Sequence, residues 1–139
     1  MASKILVPMD DSEMAREALE YALEHFPDAE CTILHVVGGP SPMWGEATGL
    51  ALADDIGEAT AELSEKVFSV AREVAEEYDT EIETKSRLGH PARAIINEAE
   101  EYDTVVIGTH GGTIAERLFV GNVAEQVFRR SPVSVVVVR

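Results

Sequence analysis

Cysteine is nearly missing from this 139-residue chain; Cys31 is the only one. A single thiol excludes an internal disulfide and a cysteine-based zinc cluster, and it fits a reducing compartment. Lysine is scarce as well, with Lys4, Lys66 and Lys85 the whole supply. Lysine and arginine together number 11 against 26 aspartates and glutamates, a net charge of −15. Such a surface repels nucleic-acid backbone and anionic membranes, which argues against a general role in binding either. Long apolar runs are lacking too. The first, Ile5 to Pro8, stops before Asp10 and Asp11, far short of the ~20 residues of a spanning helix and of a signal-peptide core. The histidines and the cysteine are scattered, with none of the spacings of a metal site. What is present is ordinary for a globular protein: 45% hydrophobic and 27% charged residues, enough for one core. The expectation is one cytoplasmic domain over residues 1–139, its acidic shell a solvated surface of the halophilic kind.

Strand and helix patterns alternate along the chain. Lys4 to Pro8 is a short apolar run, followed by the helix-capping cluster Asp10-Asp11-Ser12. Ala15, Leu19, Ala22, Leu23 and Phe26 then recur at helical spacing and end before Pro27. A second strand, Thr32 to Val37, stops at Gly38-Gly39-Pro40, and 38–53 reads as a long loop with Met43 and Trp44 placed to cover a ligand. Leu63, Val67, Val70, Ala71, Val74, Ala75 and Tyr78 form the stripe of a long helix. Thr80 to Arg87 alternates charged with apolar residues, as an edge strand does. Pro91 opens a short helix, Thr104 to Ile107 is an all-apolar central strand, and Asn122 to Arg129 and Val133 to Val138 supply the last helix and strand. The order βαβαβαβαβ predicts a doubly wound, five-stranded parallel sheet with helices on both faces.

In such a sheet ligands bind beyond the carboxyl ends of the strands, where strand order reverses. The first strand delivers Pro8, Met9 and Asp10 there, the second Val36 and Val37, and the fourth Ile107 and Gly108. Gly111 and Gly121 follow, with nine residues between them, and Gly121-Asn122-Val123 opens the last helix. Glycine admits close backbone approach, and free N–H groups at a helix start attract phosphate oxygens. The spacing points to a nucleotide with its base near strands one and two and its phosphates at Gly121 and Asn122.

The pattern Gly108-x2-Gly111-x9-Gly121 resembles that of the universal stress protein family. So do the opening Lys4 to Glu13, the strand Ile33-Leu34-His35-Val36-Val37, the stretch Gly89-His90-Pro91-Ala92 and the closing Ser131 to Val138. The resemblance implies an ATP site in which Pro8, Met9 and Asp10 border the adenosine and Val36 lines the base pocket. It further implies that Ile107, Gly108 and Gly111 wrap ribose and phosphates, that Gly121, Asn122 and Val123 hold the phosphate tail, and that Mg2+ accompanies the nucleotide. Asn122 stands where that branch most often has Ser or Thr, and Gly112 where a basic or polar residue is frequent. The resemblance also implies a homodimer through the last strand, Val133 to Val138, and an unidentified protein client.

Rival readings are weaker. A phosphorelay receiver needs an aspartate ending its third strand and a lysine ending its fifth; here the third run ends Ser86-Arg87-Leu88-Gly89 and the fifth holds no lysine. Nothing asks for flavin. No general base is identifiable, so the enzyme reading reaches at most a slow ATPase. His35 reads as a packing residue near a strand end, and Asp10 divides evenly between a ribose contact and helix capping. The alternative to nucleotide binding is a family member that works through protein contacts alone.

Overall fold

The computed structural model describes residues 3–37, 55–109 and 122–139. The strands are β1 (Lys4–Pro8), β2 (Glu30–Val37), β3 (Ile82–Leu88), β4 (Thr104–Gly108) and β5 (Ser134–Val138). The helices are α1 (Glu13–His25), α2 (Asp55–Glu77), α3 (Pro91–Ala99) and α4 (Asn122–Arg130). All strand pairs are parallel, in the order β3-β2-β1-β4-β5. The doubly wound sheet is therefore as the sequence predicts, with the charged third strand on one edge and the valine-rich last strand on the other. The expected loop over 38–53 lies outside the described residues.

Side-chain alternation along the strands sorts the core into two layers. On one face Ile5, Val7, Met9, Cys31, Ile33 and Val106 pack against α1 and α2. On the other, Leu6, Leu34, Val105 and Ile107 pack against α3 and α4. β1 occupies the middle of the sheet, and Ile5, Leu6 and Val7 are each at most 1% exposed. The edges differ as their sequences do. β3 keeps Glu83 and Arg87 in water, while β5 leaves Val137 exposed and Phe128 of α4 stands 53% exposed nearby in the chain.

Local signals set the helix ends. Ser12 is the N-cap of α1, its Oγ accepting the Ala15 N–H at 3.1 Å. Pro91 occupies the first turn of α3, where its missing N–H costs nothing. After α2 the chain turns through Asp79 at φ 52°, and the Thr80 N–H reaches back to the Ala75 carbonyl at 3.0 Å.

Candidate functional site

Strand order reverses between β1 and β4, which carry the chain to opposite sides of the sheet. Their register runs through Ile5 with Thr104 and Leu6 with Val105. Beyond that point each strand follows its outer neighbour. β1 continues along β2, with Pro8 beside Leu34 and the Met9 N–H donating to the Leu34 carbonyl at 2.9 Å. β4 continues along β5, with Gly108 beside Val138 and the Thr109 N–H donating to the Val138 carbonyl at 2.9 Å. The β1–β4 ladder thus ends at the reversal of strand order, and it is in the crevice at the carboxyl ends beyond such a point that open α/β sheets take ligands.

One wall of this crevice is the β1–α1 turn. Asp10 is exposed, and its Oδ1 accepts the Ser12 N–H at 2.9 Å, which shapes the turn and leaves the second carboxylate oxygen available. Asp10 thus supports the cap without being it; the cap is Ser12, and Asp11 lies exposed between them. Pro8 is buried. Met9, which the family resemblance places at the adenosine, turns its side chain into the first core layer and is 5% exposed. Its backbone is what reaches the strand ends.

Gly108 has a structural task that the sequence does not announce. A Cβ there would lie 2.9 Å from the Met14 carbonyl oxygen and 3.2 Å from the Met14 Cβ. The absent side chain is what lets the first turn of α1 settle on the end of β4. Ile107 is 6% exposed in the second core layer, against which Val36 and Val123 are partly buried. The crossover from β4 to β5 runs α4 back along the sheet, so its start at Asn122 and Val123 belongs to the carboxyl-end side. The structure therefore gathers Pro8, Met9, Asp10, Val36, Ile107, Gly108 and the start of α4 at one end of the sheet. Gly111 and Gly121 lie outside the described residues, and Asn122 is described through its backbone alone.

A polar pair that sequence reading missed stands beside this group. His35 of β2 has Nδ1 2.8 Å from the Ser64 Oγ of α2, and its ring meets Phe68 edge-on at 6.5 Å. Burial pushes the imidazole below its usual pKa, an effect the Asp10 and Asp11 carboxylates oppose. No spacing rule connects a strand histidine to a helix serine 29 residues away. Serine, histidine and aspartate in proximity invite a hydrolase reading, but Ser64 is 0% exposed and out of reach of any substrate.

The opposite end of the sheet carries an open depression of about 370 Å³ lined by Lys4, Glu30, Glu83, Lys85 and Tyr102 among others. Lys85, one of the two lysines lining it, is already engaged. Lys85 Nζ lies 3.0 Å from Glu98 Oε1 and 3.7 Å from Glu101 Oε2, and Arg87 Nη2 shares the same Glu98 oxygen at 3.2 Å. Among the described residues no group of three or more His, Cys, Asp or Glu side chains could hold a metal ion, and no helix is long and apolar enough to cross a membrane.

Comparison with known proteins agrees with this geometry. The family model of the universal stress proteins matches residues 1–139. Universal stress protein MJ0531 of Methanocaldococcus jannaschii is 34% identical over 98% of this chain and 81% of its own length. The solved structure of MJ0577, a universal stress protein of the same organism, superposes with a TM-score of 0.77 at 27% identity, covering 99% of this chain and 96% of that one. A universal stress protein solved in complex with cAMP shares the fold at TM-score 0.69 and 24% identity, covering 99% of this chain and 97% of that one. One from Archaeoglobus fulgidus in complex with dAMP does so at 0.59 and 22%, covering 100% and 98%. Family model, sequence relatives and strand order agree: this chain belongs to the universal stress protein family.

Proposed function

We propose that this protein binds an adenine nucleotide, ATP by preference, in the crevice between β1 and β4, and acts as a small dimeric regulatory module in the stress response. The observation that carries the reading is the parting of β1 and β4 beyond Leu6 and Val105 at the reversal of strand order. The cAMP and dAMP complexes of the two structural neighbours support the choice of ligand class.

The residues present suit such a ligand. Asp10 keeps a carboxylate oxygen free to accept a ribose hydroxyl. Val36, only partly buried, supplies apolar surface for a base or sugar, with Ile107 packed in the core layer beneath. Backbone N–H groups at the start of α4, from Asn122 onward, meet phosphate with the partial positive charge of a helix terminus. Mg2+ would enter with the nucleotide, shielding phosphate from the acidic surface. The exposed Phe128 and Val137 favour self-association along β5, where valines flank an open strand edge.

Titration calorimetry in molar KCl with Mg-ATP, Mg-ADP and cAMP tests this reading. Wild type binds, with ATP tightest. Asp10→Asn keeps the oxygen that shapes the turn but removes the charge, and weakens binding by about tenfold, the scale of a hydrogen bond to a charged group. Asn122→Ser, which restores the family's hydroxyl, binds equally or more tightly. Silence from all three proteins with all three nucleotides overturns the reading in favour of a module that works through protein contacts.

A further inference from the structure

The bond between His35 and Ser64 ties α2 to the sheet close to the crevice. His35 lies two residues before the carboxyl end of β2, on the face covered by α2, and is half-buried. Its groups of contact come from three directions. α2 supplies Ser64 and Phe68, β3 supplies Ser86 as the register partner, and the β1–α1 turn supplies the charges of Asp10 and Asp11. Only the last of these, among the described residues, bring charge to bear on the ring.

A proton taken up by this ring changes the bond that holds α2. In the neutral ring with hydrogen on Nε2, the Ser64 hydroxyl donates to Nδ1. In the imidazolium Nδ1 must itself donate, and the Ser64 hydrogen has to turn away, toward a carbonyl of its own helix. The added positive charge faces the Asp10 and Asp11 side of the crevice. An anionic ligand lodged there adds to the same negative field.

We propose that His35 is a proton-linked positioning residue, which holds α2 through Ser64 and couples the occupancy of the β1–β4 crevice by an anionic nucleotide to pH. The ligand half of this inference rests on the nucleotide reading above; the proton-linked hold on α2 does not. Linkage fixes the direction. A bound anion favours the imidazolium, so the imidazolium favours the bound anion by the same factor. Affinity for Mg-ATP therefore rises as pH falls from 7.5 to 5.5, by several-fold and at most about tenfold, the equivalent of one pKa unit.

Two measurements test it. The first is an NMR titration of the His35 ring in the free protein. Its midpoint lies below that of an exposed histidine; Asp10→Asn lowers it further by removing a negative charge, and Ser64→Ala shifts it by removing the hydroxyl that partners Nδ1 in both protonation states. A midpoint that neither substitution moves overturns the proposal, whether or not the protein binds nucleotide. The second is Mg-ATP affinity at pH 7.5 and 5.5 for wild type and His35→Asn, which keeps a polar atom near Ser64 but cannot titrate. The variant reports the pH dependence of the nucleotide's own phosphates, and wild type shows the additional several-fold gain. Equal slopes in the two proteins overturn the coupling and leave nucleotide binding standing. Absence of binding at both pH values overturns the coupling together with the nucleotide reading, and the ring titration still decides the hold on α2.

Discussion

Replacing Gly108 with alanine isolates the contact that seats α1 on the sheet. The new Cβ would meet the Met14 carbonyl oxygen at 2.9 Å, its carbonyl carbon at 3.1 Å and its Cβ at 3.2 Å. Comfortable carbon contacts begin near ~3.5 Å, so α1 or β4 has to give by a few tenths of an ångström. Neither gives readily. The first turn of α1 is held by the Ser12 cap and the Asp10 turn, and Ala15, Ala18 and Leu19 behind it are fully packed. Overpacking of this kind costs about 1–3 kcal/mol. For a chain of this length that lowers the Tm by roughly 4 °C per kcal/mol. The opposite sign is expected if the contact is not limiting, because alanine in place of glycine at a compatible backbone stabilises by about 0.4–1 kcal/mol through the unfolded chain. Urea unfolding followed by circular dichroism separates the two. Adding Met14→Ala gives no rescue, since every atom in the close contact is one that alanine retains. Gly89→Ala is the companion control. There φ is +135° with nothing within 4 Å of an added Cβ, so its loss of about 1–3 kcal/mol comes from backbone conformation alone. A Gly108→Ala protein as stable as wild type, or more stable, refutes the account of how α1 is positioned.

Cys31 is 5% exposed and its thiol is pushed up to about 12 by burial. Ellman's reagent at pH 8 should leave it untouched in the native protein and label it fully in guanidinium; rapid native labelling contradicts the packing of β2. Glu98→Gln weakens the shared anchor of Lys85 and Arg87 and should cost about 1–2 kcal/mol. The hydrogen bond to Glu98 is the first cause holding Lys85 above its usual pKa. Its contribution is therefore complete below the ordinary lysine value and lost as pH rises through the higher native one, and the substitution flattens that alkaline limb of the stability curve. With a net charge of −15, the Tm should climb steeply from low salt to molar KCl as the screening length shrinks from ~30 Å at 0.01 M to ~3 Å at 1 M; a flat profile removes charge repulsion as a factor. Val135→Glu places charge on the β5 edge and should convert a dimer to monomer or aggregate by light scattering, and a monomeric wild type at micromolar concentration refutes pairing along that strand.

The amino-acid sequence by itself determined the alternation of strands and helices, the parallel sheet and the identity of both edges. These rest on local periodicity: the all-apolar Thr104 to Ile107 needs two covered faces, while Glu81, Glu83 and Lys85 need water beside them. Helix starts at Ser12 and Pro91 were legible for the same reason, since capping is settled within a turn of chain. That Pro8, Met9, Asp10, Val36, Ile107 and Gly108 reach one end of the sheet was legible, because a parallel sheet brings all its strand ends to one side. Their individual tasks were not. Met9 falls on the parity of β1 that faces α1 and α2, which sends its side chain to the core. Gly108 reads as a ligand glycine, and only the placing of α1 shows that it also clears Met14, a residue 94 positions earlier in the chain. The His35–Ser64 bond and the shared Glu98 anchor likewise join elements far apart in sequence. Such contacts depend on where rigid elements come to rest against one another, and that is decided by the packing of the two core layers, which no window of local sequence contains.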